Sequence, residues 1–185
     1  MQVSKIKRRE GHNIKNLLTA AAIADGYTTR ERIVKVASEF CGLEHRCEEI
    51  GIKDDVRYIN SSIDTTPNRT FETLRSFDTN VIIILGGKSK GCDYSILREP
   101  LNKHAKLAIL TGDCRNELSA SLKGACDTCI IDDFEEAVIY ATVVAEPGDT
   151  VLLSPAATSY DAFENFENRG NKFKEIIDKI HKNRS

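Results

Sequence analysis

Two amphipathic patterns with helical spacing open the chain. Apolar residues at intervals of three and four predict a first helix over His12–Ala24, which Gly26 ends. Thr28, with Glu31 three positions later, has the form of a capping box and predicts the start of a second helix, which Gly42 terminates. The first 42 residues are therefore expected to be helical.

After Asp55 the pattern changes to short apolar runs that alternate with amphipathic stretches. The runs predict strands at Val56–Asn60, Asn80–Leu85, Lys106–Leu110, Thr128–Ile131 and Thr150–Leu153. The stretches predict helices at Pro67–Phe77, around Tyr94–Leu101, and at Arg115–Lys123, Asp133–Ala145 and Phe163–Ile180. Continuous apolar strands between helices are typical of a mainly parallel sheet covered on both faces. Residues 43–185 are thus predicted to form a Rossmann-like, doubly wound α/β domain, and residues 1–42 a helical segment of a neighbouring domain.

Charge and composition exclude several classes of protein. The 26 Lys and Arg against 28 Asp and Glu leave a net charge of −2 at pH 7, which provides no general attraction for nucleic acid or an anionic membrane. The longest aliphatic run, Val81–Leu85, is far shorter than the roughly 20 residues of a membrane-spanning helix. The six cysteines are too sparse for a disulfide scaffold. Cys126 and Cys129 have the spacing of half a zinc site, but no second pair completes it, and the histidines have no ligand spacing. A cytoplasmic, globular protein without a metal is expected.

The segments that follow the strands are the candidate site, because ligands of such sheets bind at the carboxyl ends of the strands. Asn60–Pro67, Gly86–Asp93 and Ser154–Asp161 are polar and rich in small residues. The glycine-rich stretch lacks the first glycine of a phosphate-binding P-loop. Its Lys90 is a candidate cation for an anionic ligand, although two solvated lysines, Lys88 and Lys90, would fit the pattern equally well.

The polar segment after the last strand has two interpretations. Asp161, with Glu164 three positions later, has the form of a helix cap, and plain capping would need no ligand. Hydroxyl groups and backbone N–H groups at a helix start also suit a carboxylate or a phosphate. The residues alone leave both interpretations open.

Five segments, in order along the chain, carry motifs of a known family. They are GHNIKN (11–16), GLEHRCE (42–48), VRYINSSIDTTPNRT (56–70), ILGGKSKG (84–91) and LLSPAATSYDAFENFENRGNKF (152–173). Together they resemble the Mur ligases, and among these the branch that adds D-glutamate during peptidoglycan synthesis. The resemblance corresponds to the end of the family's central ATP-binding domain and to its C-terminal domain.

The resemblance implies an ATP-dependent amide synthesis with magnesium, in which D-glutamate is joined to UDP-N-acetylmuramoyl-L-alanine through an acyl phosphate. Lys90 and Ser159 match residues that bind the carboxylates of D-glutamate. Phe166 matches a residue whose backbone N–H does the same, and Thr65 matches a threonine that lines the pocket. These four residues are the implied amino-acid site.

Four further residues match the family's nucleotide-binding positions. Asn13 and Asn16 match residues on the adenosine side, and His45 and Arg46 match a pair whose arginine faces the ATP phosphates. The family's glycine-rich ATP loop, its magnesium ligands and its UDP-sugar domain precede these motifs. We therefore expect neither ATP nor magnesium to bind this chain alone, and we expect it to be inactive alone.

The chain departs from the family pattern at three positions. Ser61 and Ser89 stand where aspartates are usual, and Ile63 stands where a lysine is common. These changes leave open an alternative function, that of a stand-alone, non-catalytic module for an acidic amino acid, a nucleotide or a partner protein. The apolar faces of the first two predicted helices also suggest self-association.

Overall fold

The computed structural model describes residues 11–40, 42–78 and 80–182, with side chains described from residue 16 onward. It divides into two compact units, Met1–Leu43 and Glu44–Ser185. The first unit contains helices α1 (Gly11–Ala24) and α2 (Arg30–Glu39). The predicted capping box at Thr28 was wrong by one residue, because Thr29 caps α2 and its hydroxyl accepts the N–H of Arg32 at 3.4 Å.

The second unit is a six-stranded sheet with helices on both faces. Its strands are β1 (Glu48–Lys53), β2 (Val56–Asn60), β3 (Val81–Gly86), β4 (Ala105–Thr111), β5 (Asp127–Ile130) and β6 (Thr150–Leu153). Its helices are α3 (Pro67–Leu74), α4 (Arg98–His104, after a 3₁₀ turn at Ser95–Leu97), α5 (Arg115–Leu122), α6 (Phe134–Val144) and α7 (Phe166–Lys182). The strand order is β1-β2-β6-β3-β4-β5, and only the β1–β2 pair is antiparallel. The predicted Rossmann-like α/β fold is therefore confirmed.

Strand β3 forms the centre of the core, and all six of its residues are buried. Ile83 and Leu85 pack into one cluster with residues of α3, α4 and α5. Ile82 and Ile84 pack into the other cluster, which includes Phe173 of α7 and residues of α6. Because both faces of the strand meet helices, its sequence is continuously apolar instead of alternating.

Strand β1 lies in a segment that the sequence analysis did not predict as a strand. Charged side chains occupy much of it, so the stretch lacks the apolar alternation that identifies a half-buried strand. It pairs with β2 through a two-residue turn, in which Asp54 and Asp55 have φ values of +52° and +60° and Lys53 pairs with Val56. The hairpin thus depends on a turn conformation that the sequence pattern does not predict.

Helix α7 begins at Phe166, three residues later than predicted, so the capping role expected for Asp161 was wrong. The side chain of Asn165 accepts the N–H of Asn168 at 2.7 Å at the start of the helix. Asp161 instead accepts the backbone N–H of Asp113 at 3.2 Å, which joins the β6–α7 loop to the end of β4. Among the described residues, no helix is both long and apolar enough to cross a membrane.

Candidate functional site

Three loops meet at the carboxyl ends of the adjacent strands β2, β6 and β3. Two of them, which follow β3 and β6, are joined by an antiparallel pair of backbone hydrogen bonds between Lys88 and Thr158. The N–H of Lys88 donates to the Thr158 carbonyl at 2.9 Å, and the reverse bond is 3.2 Å long. The hydroxyl of Thr158 also donates to the Lys88 carbonyl at 2.9 Å. The segments that carry Lys90 and Ser159 are therefore held side by side.

The glycines before Lys88 serve this close packing of the strand ends. A Cβ added at Gly86 would lie 1.8 Å from the Thr111 carbonyl oxygen, and one at Gly87 would lie 2.0 Å from that of Thr158. The N–H of Gly86 donates to the Pro155 carbonyl at 2.8 Å. Because Gly86 and Lys88 use their N–H groups inside the fold, the loop does not offer them to a phosphate, in keeping with the prediction that it is not a P-loop.

The guanidinium of Arg169, on α7, links all three loops. It donates to the hydroxyl and carbonyl oxygens of Ser62 at 3.0 Å each, to the carbonyls of Ala157 and Thr158 at 3.2 Å, and to that of Gly86 at 3.4 Å. Only 2% of the residue is exposed. Burial lowers the pKa of Arg169 to about 10, which leaves it a cation at neutral pH.

The four residues implied to bind D-glutamate lie on or beside these loops. Thr65 is half-buried in the loop after β2, and Lys90 is exposed in the loop after β3. Ser159 is buried after β6, where its carbonyl accepts the N–H of Phe163 at 2.8 Å. Phe166 is the first residue of α7, and its carbonyl accepts the hydroxyl of Ser62 at 2.7 Å. The fold thus gathers the segments of all four at one edge of the sheet.

His45 is packed against the start of α7. Its ring Nδ1 lies 2.9 Å from the side-chain nitrogen of Asn60, and its backbone N–H donates to the Glu48 carboxylate at 2.9 Å. The ring meets that of Phe166 edge to face, with 6.1 Å between centroids. A Cβ at Gly170 would lie 2.2 Å from His45 Nδ1, so the Arg-Gly pair of α7 requires glycine here. In this structure the contacts of His45 are therefore to the protein's own interior.

The other residues implied to bind nucleotide lie next to His45 in the chain and on α1. Arg46 is half-buried beside His45, and Asn16 is exposed on α1 in the first unit. The side chain of Asn13 lies outside the described residues, although its backbone belongs to α1.

A buried carboxylate, Asp64, lies beneath the same strand ends. Its Oδ2 accepts the hydroxyls of Thr73 and Ser154 at 2.8 Å each. Burial raises the pKa of Asp64, and its hydrogen bonds oppose that rise. Ser61, which stands where the family usually has an aspartate, is buried as well and accepts the N–H of Cys47 at 3.1 Å. In this chain, Ser61 therefore makes its contact with the protein interior.

A cleft of about 270 Å³ opens beside this network, near the carboxyl ends of β3, β4 and β5, and Gly86, Gly87 and Arg169 line part of it. None of the four implied D-glutamate residues lines it. Each of its main carboxylates has a protein partner: Asp132 pairs with Arg115, Glu135 pairs with Lys172, and Asp161 accepts the Asp113 N–H. Across the described part of the chain, no group of three His, Cys, Asp or Glu side chains is placed to hold a metal ion.

Arg169 and Asp64 are the site residues that sequence reasoning missed. A signal for Arg169 was present, because it lies four positions before the core residue Phe173 and beside Gly170, on the apolar stripe of α7. An arginine on that stripe has to find buried acceptors. Asp64 had no comparable signal, since it lies in an irregular polar loop and its partners come from distant segments.

Comparison with known proteins places this geometry in a family. Residues 45–157 match the family described as Mur ligase, glutamate ligase domain. The UDP-N-acetylmuramoylalanine–D-glutamate ligase of Ruminiclostridium cellulolyticum is 40% identical over 185 residues, a match that covers 95% of this chain and 40% of that protein. The ligase of the same name from Clostridium botulinum strain Loch Maree is 39% identical over 182 residues, with the same coverage. The chain therefore spans about 40% of the length of the curated relatives it matches.

Solved structures share the fold at low sequence identity. The UDP-N-acetylmuramate-alanine ligase of Thermotoga maritima superimposes with a TM-score of 0.71 at 16% identity, covering 96% of this chain and 40% of that one. A pseudomurein peptide ligase type C from Methanothermus fervidus gives a TM-score of 0.71 at 18% identity, with 95% and 37% coverage. At these identities the likeness concerns the fold alone.

Proposed function

This chain belongs to the Mur ligase family through its glutamate ligase domain, and from that premise we propose that it is the amino-acid-binding part of a cytoplasmic ligase that adds D-glutamate to UDP-N-acetylmuramoyl-L-alanine. In the complete ligase, ATP and magnesium supply an acyl phosphate, and the amine of D-glutamate displaces phosphate from it to form the amide. The part that we assign to this chain is to hold and orient D-glutamate, which lowers the entropic cost of the reaction.

The observation that carries the proposal is the meeting of three loops at one edge of the sheet. D-glutamate has two carboxylates, so its site needs a cation and several hydrogen-bond donors close together. Lys90 would supply the cation, and the hydroxyls of Ser159 and Thr65 would supply donors. The backbone N–H of Phe166 is a further donor, since the first N–H groups of a helix have no partner within the helix.

We assign the nucleotide side of the proposed ligase to Asn13, Asn16, His45 and Arg46, as the family resemblance implies. The described residues do not contain a set of metal ligands, and we therefore assign no step to a metal held by this chain. The chain alone is expected to hydrolyse no ATP.

Calorimetry with D-glutamate tests the proposed site. We expect the unsubstituted chain to bind D-glutamate, and we expect Lys90→Ala to weaken binding by about tenfold or more, because it removes the proposed charge-assisted contact to a carboxylate. Lys88→Ala is the matched control, since Lys88 is an exposed lysine two positions away on the same loop. Its pairing with Thr158 uses backbone atoms and the Thr158 hydroxyl, so that pairing survives the substitution.

Two results would contradict the proposal. One is the absence of binding at millimolar D-glutamate, and the other is equal affinity in the Lys90→Ala variant and the unsubstituted chain. L-glutamate serves as the stereochemical control, and we expect it to bind more weakly than D-glutamate.

A further inference from the structure

The proposed D-glutamate residues come from four separate places in the chain. Thr65 follows β2, Lys90 follows β3, Ser159 follows β6, and Phe166 begins α7. Each group has to stand at a set distance from the others to bind a ligand with two carboxylates, because misplacement by about 1 Å can weaken such a site strongly. The spacing between the loops is therefore as important as the residues themselves.

One side chain contacts all three of the loops. The Nε and Nη2 atoms of Arg169 bind Ser62 in the β2 loop, and its Nη1 atom binds the carbonyl of Gly86 at the end of β3. Both Nη atoms reach the Ala157 carbonyl, and Nη1 also reaches that of Thr158, in the β6 loop. The hydroxyl of Ser62 then donates to the carbonyl of Phe166 at 2.7 Å, which connects the start of α7 to the same network.

The chemistry of these contacts requires a guanidinium. Its planar fork has five N–H donors, whereas a lysine ammonium has three donors around one nitrogen atom. Hydroxyl and carbonyl oxygens receive the hydrogen bonds of Arg169, and within the described part of the chain no carboxylate lies at ion-pair distance from it. Its positive charge is thus held by the dipoles of these oxygens, and the carboxylates of Asp161 and Asp64 lie near enough to favour the charged form as well.

We propose that Arg169 is the positioning residue of the amino-acid site: it sets the separation of the three loops that carry the proposed D-glutamate groups. It acts through Ser62, Gly86, Ala157 and Thr158, which it contacts directly. This inference rests on the proposed function for the identity of the ligand. The positioning of the loops by Arg169 does not depend on that identity.

The test is the variant Arg169→Lys, which keeps the charge and loses the fork. We expect the dissociation constant for D-glutamate to rise by about tenfold, as measured by calorimetry. In ¹⁵N-resolved NMR spectra, the amide signals of residues 62–65, 86–90 and 157–159 should shift or broaden while those of α4 and α5 stay in place. The matched control is Arg98→Lys, since Arg98 also donates to two carbonyls, those of Ser121 and Lys123, but on α4.

A folded Arg169→Lys variant with unchanged affinity and unchanged loop signals would overturn the proposal. Should that variant fail to fold, Ser62→Ala takes its place, because it removes the Nε acceptor and the link to Phe166 while Arg169 remains. We then expect weaker binding and altered signals in the β2 loop, and an unchanged Ser62→Ala variant would also overturn the proposal. If the unsubstituted chain does not bind D-glutamate, the proposed function fails, whereas the loop signals still decide whether Arg169 positions the loops.

Discussion

Gly170 occupies the point where the His45 ring packs against the first turns of α7. In most helices an alanine in place of glycine stabilises the protein by about 1 kcal/mol, because glycine has the larger conformational entropy when unfolded. Here a Cβ would lie 2.2 Å from His45 Nδ1 and 3.1 Å from Asn60 Nδ2. The steric overlap therefore determines whether an alanine at this position stabilises or destabilises the protein.

We expect Gly170→Ala to lower the free energy of unfolding by about 1–3 kcal/mol, as overpacking of a core does. Urea unfolding measures the change, and His45→Ala supplies the control background, since it removes the ring that the methyl group would meet. In that background Gly170→Ala should be neutral or stabilising. An equal loss in both backgrounds would show that the close contact is not the cause.

The ionisation of Asp64 opposes folding. Burial raises its pKa above the ordinary value of 3.8, so the folded state binds its proton more tightly than the unfolded state does. Its contribution to stability is thus complete below pH 3.8 and is lost as the pH rises through the folded pKa.

We expect Asp64→Asn to remove this pH dependence, because an amide oxygen can accept the hydroxyls of Thr73 and Ser154 without carrying a charge. Between pH 4 and pH 7 the free energy of unfolding of the variant should rise relative to that of the unsubstituted chain. The exposed Asp93, whose pKa is lowered by hydrogen bonds with Ser95, provides the control variant Asp93→Asn. A parallel pH profile for Asp64→Asn and the unsubstituted chain would contradict the prediction.

At the scale of elements, the turn of the β1–β2 hairpin lets β1 pair with β2, although the residues of β1 lack the apolar pattern of a strand. Its two turn residues, Asp54 and Asp55, both have positive φ, which is the pattern of a type I′ turn. Glycine is favoured in that conformation, and residues with a Cβ are strained in it by about 1 kcal/mol. Aspartate is tolerated there better than alanine is.

We expect Asp55→Gly to raise the free energy of unfolding by about 0.5 kcal/mol and Asp55→Ala to lower it by a similar amount. The carbonyl of Asp55 accepts the N–H of Gly148 at 2.8 Å, and this backbone contact is common to all three chains. Chemical denaturation of the two variants side by side measures the difference. An Asp55→Ala variant that is more stable than the unsubstituted chain would be inconsistent with the positive φ at Asp55.

On the scale of the whole molecule, the first unit presents an apolar groove on α1 and α2. The groove has a volume of about 330 Å³ and is lined mainly by small and aliphatic residues, namely Leu17, Ala20, Ala21, Ala24, Ile33, Val36 and Ala37. Val36 is 64% exposed. Removing apolar surface from water lowers the free energy. In a solution of this chain alone, the molecule available to cover the groove is a second copy of the chain.

We therefore expect the chain to self-associate with rising concentration and Val36→Glu to weaken that association, since it introduces a charge into the groove. Sedimentation velocity measures both. Ile52→Glu is the control, because Ile52 is a comparably exposed apolar residue on β1 in the second unit. A monomer at all concentrations, or equal effects of the two substitutions, would contradict the role of the groove.

The sequence by itself determined the order of the elements from β2 onward, the mainly parallel α/β fold and the family. These features are encoded locally. The continuous apolar run of β3 indicates burial on both faces of the strand. The polar segments after β2, β3 and β6 indicate the edge of the sheet where a ligand would bind. Motifs such as the Arg-Gly pair of α7 are also contiguous, so they can be recognised without a structure.

Only the tertiary structure decided that β1 is a strand, that α7 starts at Phe166, and that Arg169 and Asp64 organise the strand ends. The physical reason is the distance along the chain between the partners. Arg169 meets Ser62 across 107 residues, and Asp64 meets Ser154 across 90. A hydrogen bond between such distant groups leaves no periodicity in the sequence, because it exists only once the sheet has brought its strand ends together.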